Sequence, residues 1–210
     1  MDTSLTPPPP GQGPEAAQRF LEFLDDLFGR AADLSYGAGV VSMCAHMLQT
    51  ADLAEQDGAE PSQVAAGLLH DIGHFGTDYS FDFDDDSHTA MQRAGFDHKH
   101  ENAGAQMLAP YFDAAVTEPI RLHVSAKRYL CAVDNAYLEG LTATTRHTLD
   151  LQGGPMSEDE VRAFEAETYG AAAAQVRRWD DQAMAAERSV AGFAHYRELL
   201  AGLMRTDAPA

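Results

Sequence analysis

The segment Leu68-Leu69-His70-Asp71-Ile72-Gly73-His74 sets a histidine and an aspartate side by side next to two leucines. On a helix, His70 and His74 are four apart and Asp71 and His74 three apart, so all three side chains project from one side. A His-Asp pair aimed at an apolar interior needs compensation. Either the two hydrogen-bond each other or a bound metal cation lies there, since imidazole and carboxylate are its natural ligands. The other histidines bear on that choice. His46 lies on an otherwise apolar stripe with Met43 and Leu53, and His100 opens a helix whose same face carries Ala103, Gly104 and Met107. His123 follows Ile120 and precedes Lys127 by one turn, while Asp180 stands between Val176 and Met184 with Arg177 one turn before it. Each of these alone reads equally as an ordinary core residue. Together they are four histidines and two aspartates pointing inward from separate helices. Six ligands are too many for one open metal and suit two, each with a free position. His74 need not be a ligand, because its place one turn beyond His70 suits a substrate-facing role equally well. His98, two before His100, is the alternative ligand, and His88, His147 and His195 read as loop, surface or packing residues.

These residues need helices to hold them. The 210 residues, 22.7 kDa, suffice for one domain with a real core. Residues 1–14, with Pro7 to Pro10, Gly11, Gly13 and Pro14, have almost nothing to bury and read as a disordered lead-in. From Glu15 onward Phe20, Leu21, Leu24, Leu27 and Phe28 recur at helical spacing. A loop around Ser35 to Gly39 precedes a second helix through roughly Asp57, and a third opens at Pro61 and runs toward Gly73. The acidic stretch from Gly76 to Phe96, with Asp82, Asp84, Asp85 and Asp86, has the length of a functional loop or lid. Helices resume at about Glu101 to Phe112, Glu118 to Val133, and from Ser157 to the end. No segment reads as a strand, so residues 15–210 are expected to form a single all-α domain, a helical bundle with the metal site in its core.

Composition excludes several functions. With 14 basic against 33 acidic residues the formal charge is −19, which argues against gripping nucleic acid or an anionic membrane surface. No apolar run approaches the roughly 18 residues of a membrane span, and Met1-Asp2-Thr3-Ser4 lacks the start of a signal peptide. Cys44 and Cys131 make no disulfide framework. The expectation is a cytoplasmic protein with a small-molecule substrate and no obligate protein partner.

The order His46, His70-Asp71, His100, His123, Asp180 resembles the HD superfamily in its dinuclear form, whose diiron branch includes myo-inositol oxygenase. Further stretches are similar to the HD-domain mixed-valent diiron oxygenases that cleave carbon–phosphorus bonds in 1-hydroxyphosphonates. They are Leu122-His123-Val124, Ala126 to Cys131, Leu151-Gln152-Gly153-Gly154-Pro155-Met156, and Arg177-Arg178-Trp179-Asp180-Asp181. The resemblance spans Tyr36 to Ala183. It implies one iron held by His46, His70, Asp71 and Asp180, and a second by His100, His123 and the bridging Asp71. His74, Lys127 and Arg177 would receive the phosphonate, since a dianionic group in so acidic a protein needs local positive charge. Thr145 and Thr148, at helix-neighbour spacing, would add hydroxyl donors or stand as ordinary surface threonines. Tyr36 matches a tyrosine that caps the open iron position until substrate displaces it.

The family member acting on a primary amine has a glutamate shortly after that tyrosine, whereas here the stretch is Tyr36-Gly37-Ala38-Gly39. An ammonium that donates hydrogen bonds benefits from a carboxylate; a trimethylammonium needs room and aromatic walls, for which Tyr129, Tyr137 and Phe81 are candidates. The resemblance therefore implies iron- and O2-dependent cleavage of (R)-1-hydroxy-2-(trimethylammonio)ethylphosphonate to glycine betaine and phosphate, in organophosphonate catabolism. The alternatives are the same reaction on 2-amino-1-hydroxyethylphosphonate, giving glycine, and a metal-dependent HD phosphohydrolase that activates water.

Overall fold

Phe20, Leu24 and Leu27 fall on one face of the first helix, α1 (Gly13–Arg30), and all three are fully buried. The computed structural model describes residues 7–9, 11, 13–30, 35–36, 41–75, 97, 99–186 and 188–205. Helix α1 begins two residues before the expected Glu15, and the carbonyl of Pro8, within the expected lead-in, accepts a hydrogen bond from Tyr111 at 3.4 Å. The stretch 76–96, together with His88 and Phe81 within it, lies outside the described residues, as does His98.

Two short strands, β1 (Ser35–Tyr36) and β2 (Val41–Ser42), pair antiparallel with Ser35 opposite Ser42 and Tyr36 opposite Val41. A two-residue ladder is too short to show an alternating pattern, so it is invisible in the sequence. Strand β2 runs directly into α2 (Met43–Gln56), whose first turn is capped by Ser42 Oγ accepting from Ala45 N at 3.1 Å. Helix α3 (Pro61–Leu69) opens on a proline and packs closely on α2 at Gly67, where a side chain would meet Thr50.

Helix α3 stops at Leu69, earlier than the expected run toward Gly73. His70 and Asp71 sit in a turn, and Ile72–Phe75 form a single 3-10 turn. The reason is the approach of α4 (His100–Leu108): a Cβ on Gly73 would lie 1.9 Å from His100 O and 2.6 Å from Gly104 N. The two backbones touch there, which only glycine allows.

Helix α5 (Ala114–Val133) begins before the expected Glu118 and holds Pro119 within its second turn. Helices α6 (Asn135–Gly140) and α7 (Ala143–Leu151) fill a stretch where none was expected; each is short, and each is capped by the preceding side chain, Asp134 and Thr142. The helix expected from Ser157 to the end is three: α8 (Glu158–Glu165), α9 (Gly170–Gln182) and α10 (Phe193–Leu203). The break before α9 is tight, since a Cβ on Gly170 would lie 2.6 Å from Phe164 O.

Helix α5 is the axis of the bundle, packed against α3, α4 and α9. One core joins Leu24, Met47, Leu68, Ile72, Leu108, Ile120, Trp179 and Leu200, and a smaller one joins Leu122, Ala126, Phe164 and Ala173. Trp179 Nε1 donates to Asp57 Oδ2 at 2.7 Å and ties α9 to the end of α2. The segment after α9 lies back on α2 through Ala185 N to Gln49 Oε1, 3.1 Å, and Arg188 to Asp52. The all-α bundle expected from the sequence is what forms. No helix among the described residues is long and apolar enough to cross a membrane.

Candidate metal centre

The close packing of α2 on α3, and of α9 on both, brings His46, His70 and Asp180 together in the core. His46 Nε2 lies 3.2 Å from His70 Nε2 and 3.2 Å from Asp180 Oδ1. On the other side of Asp71, α4 and α5 bring His100 Nε2 and His123 Nε2 to 3.1 Å from each other. Asp71 lies between the two pairs. Its Oδ2 is 3.4 Å from His70 and 3.6 Å from His46, and its Oδ1 is 3.3 Å from His100 and 3.8 Å from His123. All six residues singled out as ligands in the sequence are therefore in one cluster, as two triads that each fit an ion: His46, His70, Asp180 and Asp71, His100, His123.

Hydrogen bonding decides what that cluster needs. His46 Nδ1 donates to Ala183 O at 2.9 Å, His70 Nδ1 to Gly67 O at 2.8 Å, and His123 Nδ1 to Ile120 O at 2.7 Å. A carbonyl can only accept, so in each neutral ring the proton is on Nδ1 and Nε2 carries a lone pair. The Nε2 atoms of His46 and His70 then face each other lone pair to lone pair at 3.2 Å. A cation between them resolves the repulsion. Asp71 Oδ2 is buried with no hydrogen-bond partner, an orphan that a cation would also satisfy. Bonds of about 2.1 Å place neighbouring ligand atoms about 3.0 Å apart in an octahedron and about 3.4 Å apart in a tetrahedron; five of the spacings above lie at 3.1–3.4 Å, and the two longest are 3.6 and 3.8 Å. The residues fit a pair of metal ions.

The charges show the same need in another form, because with no metal bound the carboxylates favour a proton on His70 Nε2, in the place a cation would take. Burial opposes charge on His70, but Asp71 and Asp180 beside it hold its pKa well above the ordinary histidine value. Burial also works against ionised Asp71 and Asp180, yet His70 and the other imidazoles around Asp71, and Arg177 with His70 around Asp180, keep both carboxyls well below the usual range. His123 goes the other way, pushed down by burial and by His100 and His70. Two ionised carboxylates in a dry site with imidazole lone pairs turned inward attract cations.

Around the centre, His74 stacks on the His100 ring, centroids 4.1 Å apart, with Nε2 3.9 Å from Asp71 Oδ1. Lys127, one turn beyond His123 on α5, is buried and donates to Thr148 Oγ1 at 3.0 Å. Burial and the neighbouring Arg177 push its pKa down to about 7. Thr148 in turn donates to Thr145 O at 3.0 Å, while the Thr145 hydroxyl is engaged with Thr142. Arg177 is already committed. Its Nη1 donates to Asp180 Oδ2 at 2.7 Å and its Nε to Asp181 Oδ2 at 3.1 Å, and Nη2 bonds Asp181 Oδ1. It therefore reaches the centre by holding Asp180. Tyr36 lies in β1, and its side chain is outside what the structure describes.

The two tyrosines suggested as head-group walls both carry other contacts, and Tyr137 also accepts from Arg177 Nε at 3.3 Å. Tyr129 stacks on Phe164 at 4.7 Å and donates to Glu165, and Tyr137 donates to Asp181 with Arg178 over its ring. Sequence reasoning missed Gly73 and Glu101. Glu101 follows a ligand directly, and that adjacency was the available signal.

The HD-domain family matches residues 43–161, and the chain belongs to it. That span carries His46, His70, Asp71, His100 and His123, while Asp180 lies beyond it. Two relatives narrow the branch. The hydroxymethylphosphonate dioxygenase of Gimesia maris is 46% identical over 143 residues, 68% of this chain and 68% of its own length. The [1-hydroxy-2-(trimethylamino)ethyl]phosphonate dioxygenase (glycine-betaine-forming) of Leisingera caerulea is 36% identical over 180 residues, 86% of this chain and 88% of its own. The resemblance to HD-domain phosphonate-cleaving oxygenases is borne out.

Proposed function

We propose that this chain is an iron- and dioxygen-dependent enzyme that cleaves the carbon–phosphorus bond of a 1-hydroxyphosphonate in organophosphonate catabolism, acting in the cytoplasm on a small molecule. One observation carries the reading: facing imidazole pairs on both sides of a shared Asp71, a donor set for two ions. His46, His70, Asp71 and Asp180 would hold one iron, and His100, His123 and bridging Asp71 the other. When bound, a mixed-valent Fe(II)/Fe(III) pair supplies the oxidative chemistry with O2. The reaction balances without another reductant, since R–CH(OH)–PO3H2 and O2 give R–COOH and H3PO4. No nicotinamide or flavin is needed.

The chain's own residues bind and orient. Lys127 is a buried amine whose charge is suppressed until an anion arrives, so a phosphonate oxygen at Nζ restores the ammonium and anchors the substrate. His74 adds a donor beside Asp71, and Thr148 and Thr145 set the position of the Lys127 ammonium or add hydroxyl donors to the phosphonate. Arg177 keeps Asp180 aligned and lends positive potential to the same region. Tyr36 would cap the open iron position until substrate displaces it.

The head group follows from Tyr36-Gly37-Ala38-Gly39, which offers no acid to a primary ammonium. The substrate on this reading is (R)-1-hydroxy-2-(trimethylammonio)ethylphosphonate, giving glycine betaine, with the 2-amino compound as its rival. The glycine-betaine-forming relative, matched over 86% of the chain, supports it. A second reading, hydroxymethylphosphonate, is favoured by the 46% identity of the other relative. Phosphate release by iron-loaded protein, with all three compounds under air and under nitrogen, tests the proposal. Fastest release from the trimethylammonio compound under air is expected, and fastest release from hydroxymethylphosphonate selects the second reading. Release that continues under nitrogen overturns the oxygenase in favour of a hydrolase.

A further inference from the structure

Of the four imidazoles in the centre, His46, His70 and His123 rest their Nδ1 on main-chain carbonyls at 2.9, 2.8 and 2.7 Å. His100 is different. Its Nδ1 lies 3.8 Å from Glu101 Oε2, an atom that is buried and has no hydrogen-bond partner. The other oxygen, Oε1, accepts from Asn102 Nδ2 at 3.0 Å, so the carboxylate is held at one end and free at the end facing the ring. Glu101 is 7% exposed, and a buried carboxylate oxygen left unpartnered is costly. An imidazole N–H within a small side-chain rotation of it is the natural partner.

We propose that Glu101 is a positioning residue for His100: its Oε2 accepts a hydrogen bond from Nδ1–H, turns Nε2 toward Asp71 and His123, and makes this imidazole the strongest donor of the four. A carbonyl only orients a histidine; a carboxylate also draws on the ring proton and raises the basicity of the opposite nitrogen. The two triads then differ in donor strength as well as in composition. The inference rests on the dinuclear reading above. A purely structural role is the alternative, because Glu101 also stands in the first turn of α4, where a carboxylate favours the exposed N–H groups.

The test is a Co(II) titration of metal-stripped full-length protein, followed by its visible spectrum, for the native chain, Glu101→Gln and Glu101→Leu. Glu101→Gln keeps shape and an accepting oxygen but loses the charge. The native chain is expected to take up two ions, whereas one or none would overturn the dinuclear reading itself. Both variants are expected to weaken one of the two binding steps by about 10- to 100-fold, the usual cost of losing a carboxylate behind a ligand. The other step stays unchanged, and metal-free Glu101→Gln melts like the native protein. Unchanged affinity at both steps in both variants would overturn the proposal. So would an equal loss at both steps with a lowered melting temperature of the metal-free protein, which is the signature of the helix-start role.

Discussion

The two triads meet at Asp71, which belongs to the second and turns its Oδ2 toward the first, but they are built differently. In the first, His46, His70 and Asp180 are all buried, both rings are pinned by carbonyls, and Asp180 is gripped by Arg177. In the second, the His100 side chain is 14% exposed and the stacked His74 16% exposed. His100 arrives on α4, whose position depends on the contact of Gly73 with the α4 backbone. One triad is a closed core feature assembled by the same packing that makes the fold. The other depends on one turn and one helix start, and it is the more exposed side. A protein that must hold metal tightly and still admit substrate gains from that division.

Substitutions should separate the two sides. Asp71→Ala removes the shared ligand and is expected to abolish phosphate release and reduce bound iron below one ion per chain, measured by elemental analysis. Gly73→Ala sets a methyl into the α4 backbone, so it should dismantle the second triad while sparing the first. Iron content near one per chain and loss of activity by at least about 10²-fold are expected. Two ions bound by this variant would show that the second triad does not depend on the turn.

Lys127→Met should leave iron content at two and raise KM for the phosphonate by about 10²-fold, through loss of one buried charge-assisted contact. The native enzyme should show a KM that rises as pH increases through about 7, where Lys127 loses its proton. Stability has the opposite sign. The folded-state pKa of Lys127 lies below its unfolded value, so between about 7 and the ordinary lysine value the unfolded chain binds more protons and stability rises with pH. Lys127→Met is therefore expected to melt higher than the native protein below pH 7, with the gain shrinking above it. The smallest effect is a control on neither triad. Ser157→Ala removes the capping box at the start of α8 and should cost about 1 kcal/mol, read from melting, with iron content and KM unchanged.

Much of this was legible in the sequence because the closed triad obeys sequence-visible rules. His46 and Asp180 interrupt apolar helical stripes, and His70-Asp71 stands beside leucines, so burial and need for compensation can both be read from spacing. Helix ends were less legible. Leu69 ends α3 because α4 touches Gly73 thirty residues later in the chain, a tertiary contact that no local propensity encodes. The same contact explains why Gly73 did not stand out. The helix Ala114–Val133 starts ahead of Glu118 with Pro119 inside it, and Gly170 opens a new helix within what was expected to be one. The engagement of Arg177 by Asp180 and Asp181 was within reach, since the three lie at helix-neighbour spacing. Its consequence, a cation that serves a ligand first, needed the geometry.

The most direct test of the central claim is phosphate released and dioxygen consumed, followed together as iron is added stepwise to metal-stripped protein under air. Activity is expected to climb to a break at two irons per chain, with one O2 taken up for each phosphate formed. A break at one iron, or phosphate formed without matching O2 uptake, would contradict it.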